Sequence, residues 1–264
     1  MDKKVVIITG ASSGIGAAVA RRLGRDGMCL TLAARRTGRL ESVAEEARKS
    51  GGEVLVLPTD VTKQVDIDTM LQATLERWGR VDVLFNNAGV NADKPFVDLE
   101  WEQIVTEVNI NLLAVMACAH AVLPVMLKQK AGHIINTASI AGLVAVPPGA
   151  IYSATKYGVV GFSDALRREL LKTGVHVSAF CPGFTPSEIS ANLKAHAEGR
   201  PDAPKYPGLM PISYVADQVA YLVNHPRRIY VIPKSWRILV LTATLLPGLA
   251  DLLVPLFGAR KDQP

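Results

Sequence analysis

The chain has 264 residues, 49% hydrophobic and 20% charged, enough to bury a large core in one globular unit and too apolar for a disordered protein. Its net charge of +5 suits an anionic cofactor or surface, but the basic residues form no run of the nucleic-acid-binding kind. Cys29, Cys118 and Cys181 stand in apolar stretches without pairing or ligand spacing, so free thiols in a reducing compartment and no metal site are expected.

A β-branched strand, Val5 to Ile8, begins almost at once, which leaves no room for a signal peptide and implies a cytoplasmic address. It ends in Thr9-Gly10-Ala-Ser-Ser-Gly14-Ile-Gly16, and an Ala-rich helix follows through Ala17, Val19 and Leu23. Strand, glycine turn, helix is the context that a dinucleotide fingerprint requires. Gly10 supplies a tight turn, Gly14 admits the pyrophosphate to the backbone, and Gly16 lets helix and strand pack closely, with the helix N-terminus facing the phosphates. The second strand, Met28 to Ala34, closes on Arg35-Arg36 with no acidic residue to bind an adenine ribose 2′-OH. Arg35 offers a planar cation for a 2′-phosphate instead, so NADP(H) is expected over NAD(H); an ordinary solvated face opening the next helix, Arg39 to Ser50, is the other reading of the two arginines.

A third strand, Val54 to Leu57, leads to Thr59-Asp60-Val61, where the carboxylate would meet the adenine amino group or simply turn the chain. A helix over Gln64 to Trp78, a strand over Val81 to Phe85, and Asn86-Asn87-Ala88-Gly89 come next. The last segment is small and polar at a strand's C-terminal edge, where open parallel sheets bind ligands. Alternating strands and helices without internal repeats predict an α/β, Rossmann-like doubly wound parallel sheet with helices on both faces.

Tyr152-Ser-Ala-Thr-Lys156 places a phenol and an ammonium at i and i+4 on one helix face. A fixed cation favours the phenolate and would lower the tyrosine pKa from its usual value near ~10 toward neutrality. Such a group would trade protons near pH 7.

In motif order, Thr9-Gly10-x-x-x-Gly14-x-Gly16, Asp60, Asn86-Asn-Ala-Gly89, Ser139, Tyr152-x-x-x-Lys156 and Pro182-Gly183 resemble the short-chain dehydrogenase/reductase family over roughly residues 3 to 190. The resemblance implies hydride transfer between NAD(P)H and a carbonyl or alcohol. It implies Tyr152 as general acid in ketone reduction, Ser139 as hydrogen-bond donor to the substrate oxygen, and Lys156 on the nicotinamide ribose. It also implies a water-holding asparagine, for which Asn111 fits the spacing to Leu123-Pro124 better than Asn109. Cofactor contacts are expected at Gly10, Ser12, Ser13, Gly14, Ile15, Gly16, Arg35, Arg36, Asp60, Val61, Asn87, Ala88 and Gly89. Tyr152, Lys156, Pro182, Gly183 and Thr185 complete that set. The helices carrying Asn111 and Tyr152 are expected at the surface of a homodimer or homotetramer.

Residues 187–211 are Pro- and Gly-rich and read as a substrate lid, helical around 189–197; His196 within it reads as a surface residue. After a helix near Tyr214 to Asn224 and a last strand within Arg227 to Pro233, the core domain (1–233) gives way to an apolar extension (234–264). Its longest uncharged run is too short to span a bilayer, for which about 18 residues are needed, and Pro247-Gly248 and Pro255 interrupt it. It is expected to cover the cleft or a neighbouring subunit, or to lie in a membrane surface with Trp236 among Arg227, Arg228, Lys234 and Arg237 at the headgroups. Here the chain resembles lipid- or steroid-ketone reductases of the family, such as ketosphinganine reductases. An apolar or long-chain carbonyl is therefore the expected substrate. An alcohol or hydroxysteroid dehydrogenase, an acyl-carrier ketoreductase and a non-catalytic cofactor scaffold are the other readings.

Overall fold

The computed structural model describes residues 3–189 and 209–253. β1 (Val5–Thr9), β2 (Cys29–Ala34), β3 (Glu53–Pro58), β4 (Val83–Asn86), β5 (Gly132–Thr137), β6 (Val175–Pro182) and β7 (Ile229–Ile232) form one parallel sheet in the order β3-β2-β1-β4-β5-β6-β7. β1, β2 and β4 are buried along their whole length, as continuous apolar runs in a sheet covered on both faces must be.

Alternation along β1 divides the core. Val6 and Ile8 face α1 (Gly14–Arg25), α2 (Thr37–Lys49) and α7 (Ile212–Asn224), where Leu23, Leu40 and Val219 pack. Ile7 faces α3 (Gln64–Trp78), α5 (Ala114–Gln129) and α6 (Ala150–Glu169), with Met70, Val122 and Leu166. Strand order reverses between β1 and β4, and in a doubly wound sheet the crevice at that switch point is the ligand site.

The predicted helix Gln64 to Trp78 matches α3. The strand predicted over Val81 to Phe85 is observed from Val83; Val81 is bonded to the Gln129 side chain, whereas the Asp82 main chain already bonds to Val5 and His133. The Val81 amide donates to Gln129 Oε1 at 3.0 Å, and Asp82 Oδ2 accepts from the Val5 amide at 2.8 Å. The asparagine-bearing helix is one rod in three parts: α4 (Trp101–Val108), a π-helical turn (Asn109–Leu113) and α5. Among the described residues it is the one helix long and apolar enough to cross a membrane, but its apolar face is spent on the sheet.

The extension forms α8 (Trp236–Leu245) and α9 (Pro247–Leu253), broken at Leu246-Pro247 as the proline requires. Apart from residues 187–189 and 209–211, the expected lid, with its helix and His196, lies outside the described residues.

Candidate active site

The C-terminal ends of β1, β2, β4, β5 and β6 open on a cleft of about 500 Å³. Its lining includes Gly10, Ser12, Ser13, Gly14, Ile15, Arg35, Arg36, Asp60, Val61, Asn87, Ala88, Gly89, Ser139, Tyr152, Lys156, Pro182, Gly183 and Thr185. Two expected site residues, Gly16 and Asn111, do not line it.

Gly16 sits behind the turn, where a Cβ would lie 2.6 Å from Asn87 Nδ2 and would also strike the Gly10 carbonyl. Its part is to let α1 approach β1. Gly10 has φ +65°, and a Cβ there would meet Ala88 Cα at 2.8 Å, so only glycine fits the turn against the β4 loop. Thr9 Oγ1 ties that loop down, accepting from the amides of Asn87 at 2.9 Å and Ala88 at 3.1 Å.

Asn111 is fully buried in the π turn. Its Oδ1 accepts from the Val90 amide at 2.9 Å, and its Nδ2 donates to the Val90 carbonyl at 2.8 Å. It therefore clamps the loop that follows Gly89 instead of facing the cleft, while Val90 itself lines the wall. π turns of this kind recur at functional sites.

Ser139 caps a short 3₁₀ turn, its Oγ accepting from the Ala141 amide at 3.1 Å. That turn packs on α6 so closely that a Cβ at Gly142 would sit 2.5 Å from the Lys156 carbonyl, which fixes Ser139 against the Tyr152–Lys156 helix face. The Ser139 and Tyr152 side chains both line the cleft, near enough for the serine hydroxyl to favour the phenolate. Lys156 is 3% exposed, donates to the Thr137 carbonyl at 2.8 Å, and holds Nζ 5.5 Å from the centre of the Tyr152 ring.

The expected fall in the Tyr152 pKa is not met. Burial pushes the phenol up to about 12, with the Ser139 hydroxyl opposing the rise and Glu107 adding to it. The ammonium lies over the ring and spends a hydrogen bond on Thr137, and burial pulls Lys156 itself down to about 8. Desolvation therefore outweighs the helix-face charge effect. A protonated phenol at neutral pH remains a proton donor, as reduction requires.

At the other end of the cleft Arg36 Nη2 donates to Ser13 Oγ at 2.7 Å and Ser12 Oγ at 3.3 Å, and Nη1 reaches Glu188 at 2.8 Å. Arg39 joins the same carboxylate. The Arg36 hydrogen bond, opposed by burial and aided by Arg39, holds Glu188 down to about 2. Arg35 also lines the cleft; against burial, which raises it, the Thr62 hydrogen bonds and then Arg35 hold the Asp60 carboxyl below its ordinary value. Asp60 is nevertheless satisfied locally, its Oδ1 accepting from the Thr62 hydroxyl at 2.8 Å and amide at 3.1 Å. Sequence reasoning missed Arg39 and Glu188. Arg39 follows Arg36 by one helical turn, a signal that was present; Glu188 gave none.

The substrate end is apolar, with Ile140, Val146, Pro147, Pro148, Phe184 and Ile189. Trp236, which opens α8, packs edge-on against Phe184 with ring centres 5.1 Å apart, so the extension starts at the cleft wall.

Comparison with known proteins agrees with this geometry. Residues 4–198 match the family described as short chain dehydrogenase. An uncharacterised oxidoreductase of Listeria innocua is 40% identical over 238 residues, 88% of this chain and 94% of that protein. The crystal structure of actinorhodin polyketide ketoreductase with NADPH superposes with a TM-score of 0.78 at 33% identity, covering 88% of this chain and 96% of that one. A short chain dehydrogenase/reductase from Burkholderia phymatum in complex with NAD has a TM-score of 0.81 at 30% identity, covering 100% of this chain and 98% of the other. The chain belongs to the short-chain dehydrogenase/reductase family and is an NAD(P)-dependent oxidoreductase.

Proposed function

We propose that the protein reduces an apolar ketone or aldehyde with NADPH. The observation that carries the reading is the convergence of Ser139, Tyr152 and the enclosed Lys156, its Nζ 5.5 Å from the tyrosine ring, on one cleft that Arg35 and Arg36 also line. The cofactor supplies the hydride. Ser139 and Tyr152 donate hydrogen bonds to the substrate oxygen, where negative charge grows as the carbonyl is reduced, and preplaced donors stabilise that charge. Tyr152 then gives up its proton, and Lys156 would hold the ribose of the bound nicotinamide cofactor. Asn111 acts by fixing the Val90 wall.

NADPH is favoured by Arg36, whose guanidinium sits between the Ser12 and Ser13 hydroxyls, and by Ala34 at the end of β2 where a ribose-binding acid would stand. The Phe184–Trp236 wall and its apolar neighbours favour a hydrophobic substrate, and a ketoreductase among the similar structures supports carbonyl reduction. A panel of medium- and long-chain ketones, followed by NADPH oxidation with NADH in parallel, tests the reading. Turnover that prefers NADPH and rises with chain length supports it; turnover of short polar alcohols alone sinks it.

The outer face of the extension carries Ile238, Leu241, Leu245, Leu246 and Leu249, from 45% to 71% exposed. A membrane surface or a second copy of the chain is its proposed cover, and α5 and α6 are the proposed dimer helices. Sedimentation with liposomes, beside molecular mass in their absence, separates the two covers.

A further inference from the structure

α4 packs against α6 and turns Glu107 inward, 2% exposed, one helical turn before Asn111. Its Oε2 accepts from the Ala92 amide at 3.4 Å, a long contact, and Oε1 has no hydrogen-bond partner among the described residues. A carboxylate taken out of water so poorly satisfied is costly unless a charge faces it. The charge within its electrostatic reach is Lys156.

We infer that Glu107 is a positioning residue for the reaction: its enclosed carboxylate is the counter-charge that keeps the Lys156 side chain an ammonium beneath Tyr152. The inference rests on the Tyr152–Lys156 reading of the cleft. The groups that face Lys156 are Tyr152 on its own helix, Cys181 on β6 and Glu107 on α4. Burial pushes the Cys181 thiol up to about 12, so it is uncharged at neutral pH. Tyr152 is likewise neutral there. Glu107 is then the anionic group left to oppose desolvation, which already draws Lys156 down to about 8. The groups that face Glu107 in turn are Lys156, Tyr152 and the Ala92 amide; burial raises its pKa above the ordinary carboxylate value, and the amide and then the cation oppose that rise.

Without that charge Lys156 sheds its proton at a lower pH, and with it the ammonium that would bind the ribose of the cofactor. The test is the pH profile of kcat/KM for NADPH-dependent reduction in wild type, Glu107→Gln, Glu107→Asp and Glu107→Leu. Leucine removes the charge without leaving an unpaired polar atom, so it guards against misfolding of the glutamine variant. In both uncharged variants the alkaline limb moves to lower pH by about one unit, a tenfold change in proton affinity. In the aspartate variant it stays within a few tenths of wild type. An unmoved limb in the uncharged variants, with activity lowered uniformly or melting alone altered, overturns the inference. So does failure of both uncharged variants to fold, which assigns Glu107 to folding. Loss of the oxidoreductase reading itself shows differently, as a wild type without Tyr152-dependent turnover.

Discussion

Asn111→Ala, set beside Asn109→Ala, probes the π turn. Asn111 makes two hydrogen bonds to Val90, at 2.9 and 2.8 Å, from a fully buried position. Alanine removes both and leaves the Val90 amide and carbonyl without those partners. Each lost buried hydrogen bond costs about 1–2 kcal/mol once an unsatisfied group remains, so the variant should lose about 2–4 kcal/mol. For a chain of this size that lowers Tm by roughly 4–16 °C. Because Val90 lines the cleft, kcat/KM should also fall at least about tenfold, since small displacements of a positioning element carry large rate penalties. Asn109 is only partly buried, and its alanine variant should stay within about 0.5 kcal/mol of wild type, as surface substitutions usually do. Urea melts and steady-state reduction assays on the two variants read both quantities. Equal damage from the two, or Asn111→Ala as stable and active as wild type, refutes the clamp.

Arg36→Ala should weaken NADPH binding about tenfold or more, since charge-assisted hydrogen bonds to a phosphate are the strong kind. NADH affinity should change less than twofold, and titration of cofactor fluorescence reads both; equal losses remove Arg36 from the 2′-phosphate site. His133 is pushed down to about 3, by burial first and then by its charged or titratable neighbours, so it stays neutral in the fold. An unfolded chain protonates it below about 6.5, so its contribution is intact above that pH and is lost as pH falls toward 3, with a slope of up to about 1.4 kcal/mol per unit. Urea melts from pH 7 to 4.5 should show His133→Asn less acid-sensitive than wild type; parallel slopes count against it.

The sheet was readable because its strands are short, mostly apolar runs alternating with helix-length segments, and burial on both faces leaves little else they could be. Tyr152 and Lys156 were readable because four residues on a helix is a fixed geometry. The tyrosine pKa was misjudged because desolvation depends on what surrounds α6, which spacing does not carry. Glu107 and Glu188 were missed for a related reason: a single acid on an amphipathic helix or in a loop reads as a solvated charge. Only the packing of α4 on α6, and the return of the chain after β6 to Arg36, show otherwise. Family spacing favoured Asn111 over Asn109 without deciding between them, and the π turn that buries Asn111 and leaves Asn109 partly exposed has no sequence mark.

Transfer of the label is the most direct measurement of the central claim. With NADPH carrying deuterium at both C4 positions of the nicotinamide and an apolar ketone, mass spectrometry of the alcohol should find one deuterium on the carbinol carbon with wild type, and product formation by Tyr152→Phe should fall at least about a hundredfold, the usual scale for a lost general acid. An unlabelled alcohol, or a phenylalanine variant that keeps pace with wild type, contradicts the account.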